Sequence, residues 1–310
     1  MAKYRVSLIA PIYGVEKYIA QFAESVLGQT YRDVQFIFVN DGTKDRSVDI
    51  LNDLIDKCYV DLKPRILIID KENGGLPSAR KAGLEAAEGD YILFADSDDW
   101  LEPDAVSKVM SVADSTDADI VYFDLVKEYG DRSSYKRERD YTAQTKEDFI
   151  VNIFNYRSSG YTVTKCFKKK LYTENVIYMP KLGMHEDIYM MSQIIFYAES
   201  LVHIPEALYH YRKDNPDSFC AQDRIKRHIS STINLLDLYE KYRDNIKGSP
   251  VEKVAGSILM RAGQHAIIHG YDFFQKYPYL ASDLRKTPIS FRYRTAVPMQ
   301  LIVKIYSLFR

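Results

Sequence analysis

The stretch Tyr91-Ile-Leu-Phe-Ala-Asp-Ser-Asp-Asp-Trp100 decides the fold, because a continuous apolar run stops abruptly at three carboxylates. Residues 91–95 are few and apolar, which is typical of a strand buried on both faces of a parallel sheet. In open α/β sheets, ligands lie at the carboxyl ends of the strands. We therefore expect Asp96, Ser97 and Asp98 to present hard oxygen ligands to Mg²⁺ or Mn²⁺, and an ion held there would bind a diphosphate.

The same acidic cluster has two simpler interpretations. Asp96-Ser-Asp-Asp99 is also the pattern of a turn that caps a helix beginning near Pro103. A calcium loop of the EF-hand type is excluded, because Trp100 and Leu101 stand where it needs an oxygen ligand and then glycine, while Ser107 replaces its glutamate. The interpretation as a turn stays open, so the residues on either side of this stretch have to decide between a turn and a metal site.

Apolar segments alternate with helical patterns through the first part of the chain. Five of them have the length and composition of buried strands: residues 5–10, 34–39, 65–69, 91–95 and 119–124. Helical patterns lie between the first four of these segments. One covers residues 15–27, the next ends at about residue 58, and the third covers residues 77–87. The pair Gly89-Asp90 is interpreted as a chain breaker. Such alternation predicts right-handed crossovers and a mostly parallel, Rossmann-like α/β sheet flanked by helices.

Four loops are expected at the functional edge of this sheet, one after each of the first four strands. They are Pro11-Ile-Tyr-Gly14, Asn40-Asp-Gly-Thr-Lys-Asp45, Asn73-Gly-Gly-Leu-Pro-Ser-Ala-Arg80 and Asp96-Ser-Asp-Asp99. Converging loops of this kind can build a nucleotide site. No G-x-G-x-x-G follows the first strand and the chain contains no Walker A sequence, which argues against NAD enzymes and P-loop ATPases. The phosphates of a nucleotide would therefore have to be met by a metal ion.

The second half is less regular and ends in helices. Met184-His-Glu-Asp187 begins a predicted helix that runs to about residue 198, where Glu186 and Asp187 also have the ordinary role of satisfying N–H groups at a helix start. Residues 206–212 predict a strand, and later helices are predicted to about 242 and over 250–274. We place a domain boundary near 222, with a main α/β domain over 1–222 and a C-terminal helical extension over 223–310.

Composition describes an ordinary globular chain. With 310 residues, of which 46% are hydrophobic, it can bury a full core, and its formal net charge of −1 gives no electrostatic argument for a nucleic-acid partner. Cys58, Cys166 and Cys220 lack metal-ligand spacing, so reduced thiols are the simplest interpretation. The N-terminus enters a strand pattern without an apolar signal core, and no segment reaches the roughly 18 apolar residues of a membrane span. We expect a cytoplasmic protein.

The C-terminal tail is basic and apolar. After Asp283 the chain has no acidic residue, and its charged residues are all basic: Arg285, Lys286, Arg292, Arg294, Lys304 and Arg310. The segment Val297-Pro-Met-Gln-Leu-Ile-Val-Lys-Ile-Tyr-Ser-Leu-Phe-Arg310 adds bulky apolar side chains. Such a segment can lie in the interface of an anionic membrane, which would make the protein peripheral on the inner face of the plasma membrane. A final helix docked on the domain, with its basic face in water, explains the pattern equally well.

The order of these motifs resembles that of the family 2 glycosyltransferases of the GT-A fold, over roughly residues 6–218. The four loops are similar to the family's opening loop, acidic nucleotide loop, glycine-to-arginine segment and D-x-D motif. His185-Glu-Asp187 is similar to the motif with the catalytic base, and Tyr209-His-Tyr-Arg212 with Ser218 to the stretch that closes the domain. Each motif alone is weak, but five in this order are a strong signal. Gly14 and Lys81 depart from the family, which often has asparagine there.

The resemblance implies a metal-dependent, inverting transfer from a nucleotide sugar, usually a UDP-sugar, to a hydroxyl of a saccharide or lipid-linked saccharide. It implies that Asp41 and Arg80 hold the base of the nucleotide, with Tyr13 against the ring. The other positions that it assigns to nucleotide binding are Pro11, Ile12, Gly75, Asp96 and Ser97.

The resemblance also assigns the chemistry. Asp98, helped by Asp96, would bind Mg²⁺ or Mn²⁺, and Asp187 would be the general base, with Glu186 in reserve. Arg212 or His210 would assist at the diphosphate, although packing or a strand-edge hydrogen bond is the simpler role of His210.

Three alternatives stay open. A sugar nucleotidyltransferase also uses an α/β sheet and acidic metal ligands, but it usually has a glycine- and arginine-rich loop after the first strand, and Pro11-Ile-Tyr-Gly14 is not one. A glycosidase with paired carboxylates is the second. The third is an inactive carbohydrate-binding protein that kept the fold, against which the intact Asp96, Asp98 and Asp187 count.

Overall fold

The structure, a computed structural model, describes residues 3–130, 132–136, 145–154, 158–181, 184–216, 224–269 and 272–286. Ser218, Cys220, the predicted boundary near 222 and the tail from residue 287 to residue 310 lie outside these residues. The chain forms two compact units. The first consists of Met1–Thr145, Tyr161–Met179 and Tyr197–Ala221, and the second of Lys146–Gly160, Pro180–Phe196 and Gln222–Arg310. The division into 1–222 and 223–310 stays a prediction.

Strands and helices alternate through the first half of the chain, as predicted. The strands are β1 (Tyr4–Ile12), β2 (Val34–Asn40), β3 (Ile66–Asp70), β4 (Gly89–Phe94), β5 (Trp100–Leu101), β6 (Ile120–Glu128), β7 (Ser133–Lys136), β8 (Lys165–Lys168) and β9 (Leu201–Arg212). The helices are α1 (Ile19–Leu27), α2 (Ser47–Cys58), α3 (Leu76–Ala86), α4 (Ala105–Thr116), α5 (Lys146–Phe154), α6 (Lys170–Thr173), α7 (Glu186–Tyr197), α8 (Arg224–Tyr242), α9 (Ala255–His269), α10 (Phe273–Lys276) and α11 (Tyr279–Lys286).

The first unit is built on one sheet, whose described strands have the order β3-β2-β1-β4-β8-β6-β9-β5, with β7 paired to β6. The first four strands run parallel, as the sequence predicts: Ile9 of β1 lies opposite Ile37 of β2 and Phe94 of β4. Beyond β4 the sheet is mixed, because β8 is antiparallel to both β4 and β6, whereas β6 and β9 are parallel. β6 extends past its predicted end to Glu128, because β9 pairs with it that far.

Gly89 belongs to β4, so its interpretation as part of a chain breaker is wrong. A Cβ atom at this position would lie 2.5 Å from the backbone N of Ser7 on the neighbouring strand β1. The glycine is therefore required by the close approach of two paired strands, and its N–H donates to the Ser7 hydroxyl at 2.9 Å. The sequence alone does not distinguish a glycine at a close contact between strands from a glycine in a turn, since both positions favour a residue without a side chain.

Helix α1 shows how apolar periodicity in the sequence becomes core. Ile19, Phe22, Ala23 and Val26 are buried, with the spacing of one helix face. Phe22 meets Phe38 of β2 edge to face, with ring centroids 6.5 Å apart. This packing holds the start of α1, and with it the loop that follows β1, against the sheet.

The second unit is helical in its described part. Tyr189 of α7 donates to Asp237 of α8 at 2.7 Å, and Tyr242 of α8 donates to Gln193 of α7 at 3.0 Å. These bonds fix the faces by which α7 and α8 pack. None of the helices in the described ranges is both long enough and apolar enough to cross a membrane.

Candidate active site

The carboxyl ends of the parallel strands meet at one edge of the sheet. Ile12, at the end of β1, lies opposite Asn40 at the end of β2, which in turn lies opposite Asp70 at the end of β3. The Asn40 side chain donates to Asp70 at 2.8 Å. The loops that follow these strands are therefore neighbours, as predicted.

Asp45 ties the first two of these loops together. One carboxylate oxygen accepts from the hydroxyls of Thr43 and Ser47 at 2.7 and 2.6 Å, and the other accepts from the backbone N–H of Glu16 at 3.0 Å. Burial alone would raise the pKa of Asp45, but these hydrogen bonds outweigh it and hold the pKa below its usual value. Beside the tied segment, Tyr13 is 56% exposed, so its ring can meet a planar ligand.

The Asp41 carboxylate is buried and holds the glycine-rich loop. It is 3% exposed and accepts from the backbone N–H groups of Gly74 and Gly75 at 2.9 and 2.7 Å. The Lys71 ammonium lies 2.5 Å from the same carboxylate. Because a carboxylate has about four acceptor positions, a contact with a nucleotide base would add to this role and not replace it.

Arg80 joins α3 to the end of β4. Its Nη2 donates to Asp96 Oδ1 at 2.8 Å, and the guanidinium lies 5.5 Å from the centroid of the Phe94 ring. Arg80 is 3% exposed, whereas the Asp96 side chain keeps 29% of its surface accessible. Asp96 is therefore the member of this pair that a ligand can reach most easily.

Ser97 and Asp98 have different surroundings although they are adjacent. The buried Ser97 hydroxyl donates to the carbonyl of Pro11 at 2.7 Å, which fastens the acidic turn to β1. Asp98 is half-buried and accepts from the Asn215 amide at 2.8 Å. Burial, and then the charge of Asp96, raise the pKa of Asp98, because both disfavour its ionised form. A cation beside the two carboxylates would relieve this repulsion.

The donor set of Asp96 and Asp98 fits a divalent cation. Carboxylate oxygens are the ligands that Mg²⁺ and Mn²⁺ prefer, and Mg²⁺ is commonly held by one or two carboxylates together with substrate phosphates. Among the residues that the structure describes, no group of three His, Cys, Asp or Glu side chains is arranged to hold a metal ion. A cation at this pair would therefore take its remaining ligands from water or from a diphosphate.

Sequence reasoning missed the role of Asp99. This residue is buried, and its N–H closes a turn by donating to the Asp96 carbonyl at 3.1 Å, so the turn and the acidic site are the same structure. Its carboxylate accepts from the Tyr209 hydroxyl and from the Arg212 N–H, both at 2.7 Å. Burial, and then the charges of Asp98 and Asp96, raise the pKa of Asp99 well above its usual value. The sequence shows a third carboxylate at this position, but it does not reveal the partner of that carboxylate, because Tyr209 lies 110 positions further along the chain.

Arg212 and His210 of β9 support the acidic turn. Arg212 donates from Nε to the Asp98 carbonyl at 2.7 Å, and its guanidinium lies 4.7 and 4.8 Å from the ring centroids of Tyr18 and Trp100. His210 stacks on Trp100, and both of its ring nitrogens contact carboxylates of the protein. Both side chains are engaged by their neighbours, and for His210 this is the simpler role suggested by the sequence.

Asp187 and Glu186 belong to the second unit and lie in the first turn of α7. Asp187 Oδ1 accepts from the N–H of Ile188 at 2.7 Å. The preceding residue, His185, has a left-handed φ of +58°, and its ring contacts the Ser231 hydroxyl. Burial, and then cationic side chains of α8 and α9, lower the pKa of His185 to about 3, so this imidazole is neutral at pH 7.

Comparison with solved structures identifies the class of fold. Residues 1–349 of TarS from S. aureus, solved in complex with UDP-GlcNAc, have a TM-score of 0.65 at 19% identity, covering 96% of this chain and 82% of that one. The mannosyltransferase PcManGT from Pyrobaculum calidifontis, solved with GDP-Man and Mn²⁺, has a TM-score of 0.53 at 14% identity, covering 99% and 87%. At these identities the likeness concerns the fold alone, and it confirms the predicted GT-A architecture.

Sequence comparison identifies the family. The family model described as "Glycosyl transferase family 2" matches residues 7–175, more than half of the chain. EpsH of Bacillus subtilis (strain 168) is 32% identical over 213 residues, which cover 67% of this chain and 60% of EpsH. The protein therefore belongs to glycosyl transferase family 2. It spans less than two thirds of the length of this relative.

Proposed function

We propose that this protein is an inverting, metal-dependent glycosyltransferase that moves a sugar from a nucleotide sugar, in the first instance a UDP-sugar, to a hydroxyl of a saccharide or lipid-linked saccharide. The observation that carries the proposal is the pair of carboxylates, Asp96 and Asp98, at the carboxyl end of β4. Membership of the family supports the reaction class. The nucleotide sugars bound to TarS and PcManGT support the class of donor.

The donor base is assigned to the first three loops of the rim. Tyr13 offers an exposed aromatic face for stacking. Asp41 would accept from the uracil N–H and Arg80 would donate to a uracil carbonyl, which matches the donor and acceptor pattern of that base. Pro11, Ile12, Gly75, Asp96 and Ser97 complete the proposed contacts with the donor nucleotide.

The diphosphate is assigned to the acidic turn. Asp98, with Asp96, would hold Mg²⁺ or Mn²⁺, which supplies Lewis-acid stabilisation of the charge on the departing nucleoside diphosphate. Asn215 keeps the Asp98 carboxylate oriented through its hydrogen bond at 2.8 Å. Arg212 holds the backbone of the same turn through the Asp98 carbonyl. These residues therefore fix the position of the carboxylates before the donor arrives.

Asp187 is assigned as the general base, with Glu186 as the second choice. An acceptor hydroxyl is a poor nucleophile, so a carboxylate must take its proton while the new glycosidic bond forms. Direct attack by that oxygen on the anomeric carbon, opposite the departing diphosphate, inverts the configuration. The support for this role is the resemblance of His185-Glu-Asp187 to the family's motif with the catalytic base. In the structure Asp187 lies in the first turn of α7, where N–H groups of the helix start keep a carboxylate ionised.

The proposed setting is the cytoplasmic face of the plasma membrane. The acceptor class and the basic tail after Asp283 both favour this location, since basic residues beside bulky apolar ones bind anionic lipid surfaces. Assembly of a surface polysaccharide or glycolipid would require the enzyme there.

The decisive experiment is a panel of nucleotide sugars tested by thermal unfolding with and without Mn²⁺, followed by an assay for nucleoside diphosphate release. A ligand that binds the native state raises the melting temperature, and we expect one donor to do so only with the metal. Release should then require both donor and acceptor. A nucleotidyltransferase would instead form pyrophosphate from a sugar phosphate, a glycosidase would release sugar without any nucleotide, and an inactive binding protein would release nothing. Any of these three results would refute the proposal.

A further inference from the structure

We propose that Tyr209 and Asp99 form a positioning pair that holds the turn of residues 96–99 in the conformation that binds a divalent cation and a nucleoside diphosphate. The inference rests on the proposed function, because it concerns how the same acidic turn is kept in place. Neither residue is assigned a contact with the substrate. Both act through Asp96 and Asp98.

The Tyr209 hydroxyl both accepts and donates a hydrogen bond. Its oxygen accepts from the backbone N–H of Asp96 at 3.1 Å, so its single proton is directed to Asp99 Oδ2, 2.7 Å away. Tyr209 is 0% exposed, so bulk water does not compete for these bonds. One hydroxyl therefore joins the first and the last residue of the acidic turn.

Asp99 completes the attachment of the turn to β9. Its second carboxylate oxygen accepts from the backbone N–H of Arg212 at 2.7 Å, while its own N–H donates to the Asp96 carbonyl at 3.1 Å. The turn is thus closed by its own hydrogen bond and clamped from outside by two groups of the same strand. Asp98 lies inside this clamp, between the two anchored residues.

The strand that provides the clamp is itself held on both sides. Tyr209 pairs with Leu101 of β5 and with Leu125 of β6. Its backbone therefore lies inside the sheet, and its hydroxyl presents a fixed point to the turn. Side chains that bind ligands need such support, because small displacements of the carboxylates weaken cation binding.

Asp99 adds a third carboxylate to the turn, and three carboxylates within four residues repel one another. A cation beside Asp96 and Asp98 would reduce this repulsion. The hydroxyl of Tyr209 and the N–H of Arg212 meanwhile keep Asp99 directed toward β9, so that it does not compete for the ion.

The test compares two tyrosine-to-phenylalanine substitutions in the full chain. Tyr209→Phe removes the hydroxyl and keeps the buried ring. Tyr91→Phe is the matched control, because Tyr91 is also buried in the sheet and its hydroxyl donates to the Ala118 carbonyl at 2.8 Å, away from the acidic turn. Binding of Mn²⁺ is measured by calorimetry in the presence of UDP, and folding is followed by circular dichroism and thermal unfolding.

We expect Tyr209→Phe to weaken Mn²⁺ binding by roughly 10- to 100-fold, the usual effect of removing a residue that orients a metal ligand. Tyr91→Phe also removes a buried tyrosine hydroxyl, so it should lower the melting temperature, but it should leave the Mn²⁺ affinity unchanged. Asp99→Asn is the second variant, and the double variant should bind about as weakly as either single one, because both remove the same clamp.

Two results separate the possible failures. If the unaltered protein binds UDP equally well with and without Mn²⁺, the proposed metal role is wrong and this inference falls with it. If the unaltered protein needs Mn²⁺ but Tyr209→Phe and Asp99→Asn bind it within about twofold of normal, the positioning role alone is wrong. In that case the pair only stabilises the fold.

Discussion

Arg80 of α3 donates to Asp96 at the end of β4 over 2.8 Å, and this bond links the glycine-rich loop to the acidic turn. At the other end of the loop, Asp41 accepts from the N–H of Gly75, the residue that caps α3. Helix α3 is therefore attached at its start to the residue proposed to meet the donor base, and along its length to the carboxylate proposed to meet the diphosphate. The two parts of the proposed donor site are therefore joined through one helix.

Arg80→Lys should weaken UDP binding at least about tenfold and cost roughly 1–3 kcal/mol of unfolding free energy, because lysine is a point charge without the planar fork of arginine. Calorimetry with UDP and Mn²⁺, together with urea unfolding, measures both effects. Arg5→Lys is the matched control, since Arg5 also pairs with carboxylates and stacks on an aromatic ring, Tyr91. Equal UDP affinity in Arg80→Lys and Arg5→Lys would contradict the assignment of Arg80.

Asp98→Ala should abolish the metal-dependent part of UDP binding, because it removes the carboxylate that is proposed to hold the ion. Calorimetric titrations of UDP with and without Mn²⁺ separate that part from binding of the base. Asp90→Ala is the control, as Asp90 also lies in β4 but pairs with Arg5 at 3.0 Å. Unchanged metal dependence in Asp98→Ala would remove Asp98 from the metal site.

Asp187→Asn should reduce the turnover rate by roughly 10²- to 10⁴-fold, the usual contribution of a general base, while donor and metal binding stay intact. Steady-state release of UDP measures the first effect, and calorimetry measures the second. Glu186→Gln changes the neighbouring carboxylate in the same turn of α7 and should have the smaller effect. Normal turnover in Asp187→Asn, or a larger loss in Glu186→Gln, would move the role to another residue.

The stability of the protein should fall between pH 7 and pH 5 because of His185. Burial lowers the pKa of this residue to about 3 in the folded protein, whereas the unfolded chain has the ordinary value near 6.5. Between these values the unfolded chain binds a proton that the folded protein does not, so stability rises with pH in this window and decreases as the pH is lowered. The loss from this group is about 2 kcal/mol between pH 7 and pH 5.

His185→Asn tests this pH dependence, because asparagine does not titrate and tolerates the left-handed φ of +58°. The free energy of unfolding is measured with urea at pH 7 and at pH 5. Between these pH values the variant should lose about 2 kcal/mol less of it than the unaltered protein does. Parallel losses in the two proteins would show that His185 is not the group responsible.

The sequence by itself determined the parallel half of the sheet and the edge where the candidate site lies. Residues 91–95 are apolar at every position, as expected of a strand covered on both faces, and the helical patterns between strands require crossovers that make the strands parallel. Parallel strands end at the same edge, so the loops containing Tyr13, Asp41 and Asp96 had to be neighbours. These conclusions follow from short-range patterns, which a single sequence displays directly.

Only the tertiary structure decided which residues support that edge. The antiparallel pairing of β8 and the burial of Gly89 against β1 depend on contacts between distant segments. The bond between Asp99 and Tyr209 joins residues 110 positions apart. Periodicity reports which face of an element is buried, but the partner of a polar group is selected by packing across the whole sheet, where each buried donor and acceptor must be satisfied at once. Asp99 therefore looked like one more acidic residue in the sequence, and its function as an anchor became visible only when β9 was in place beside it.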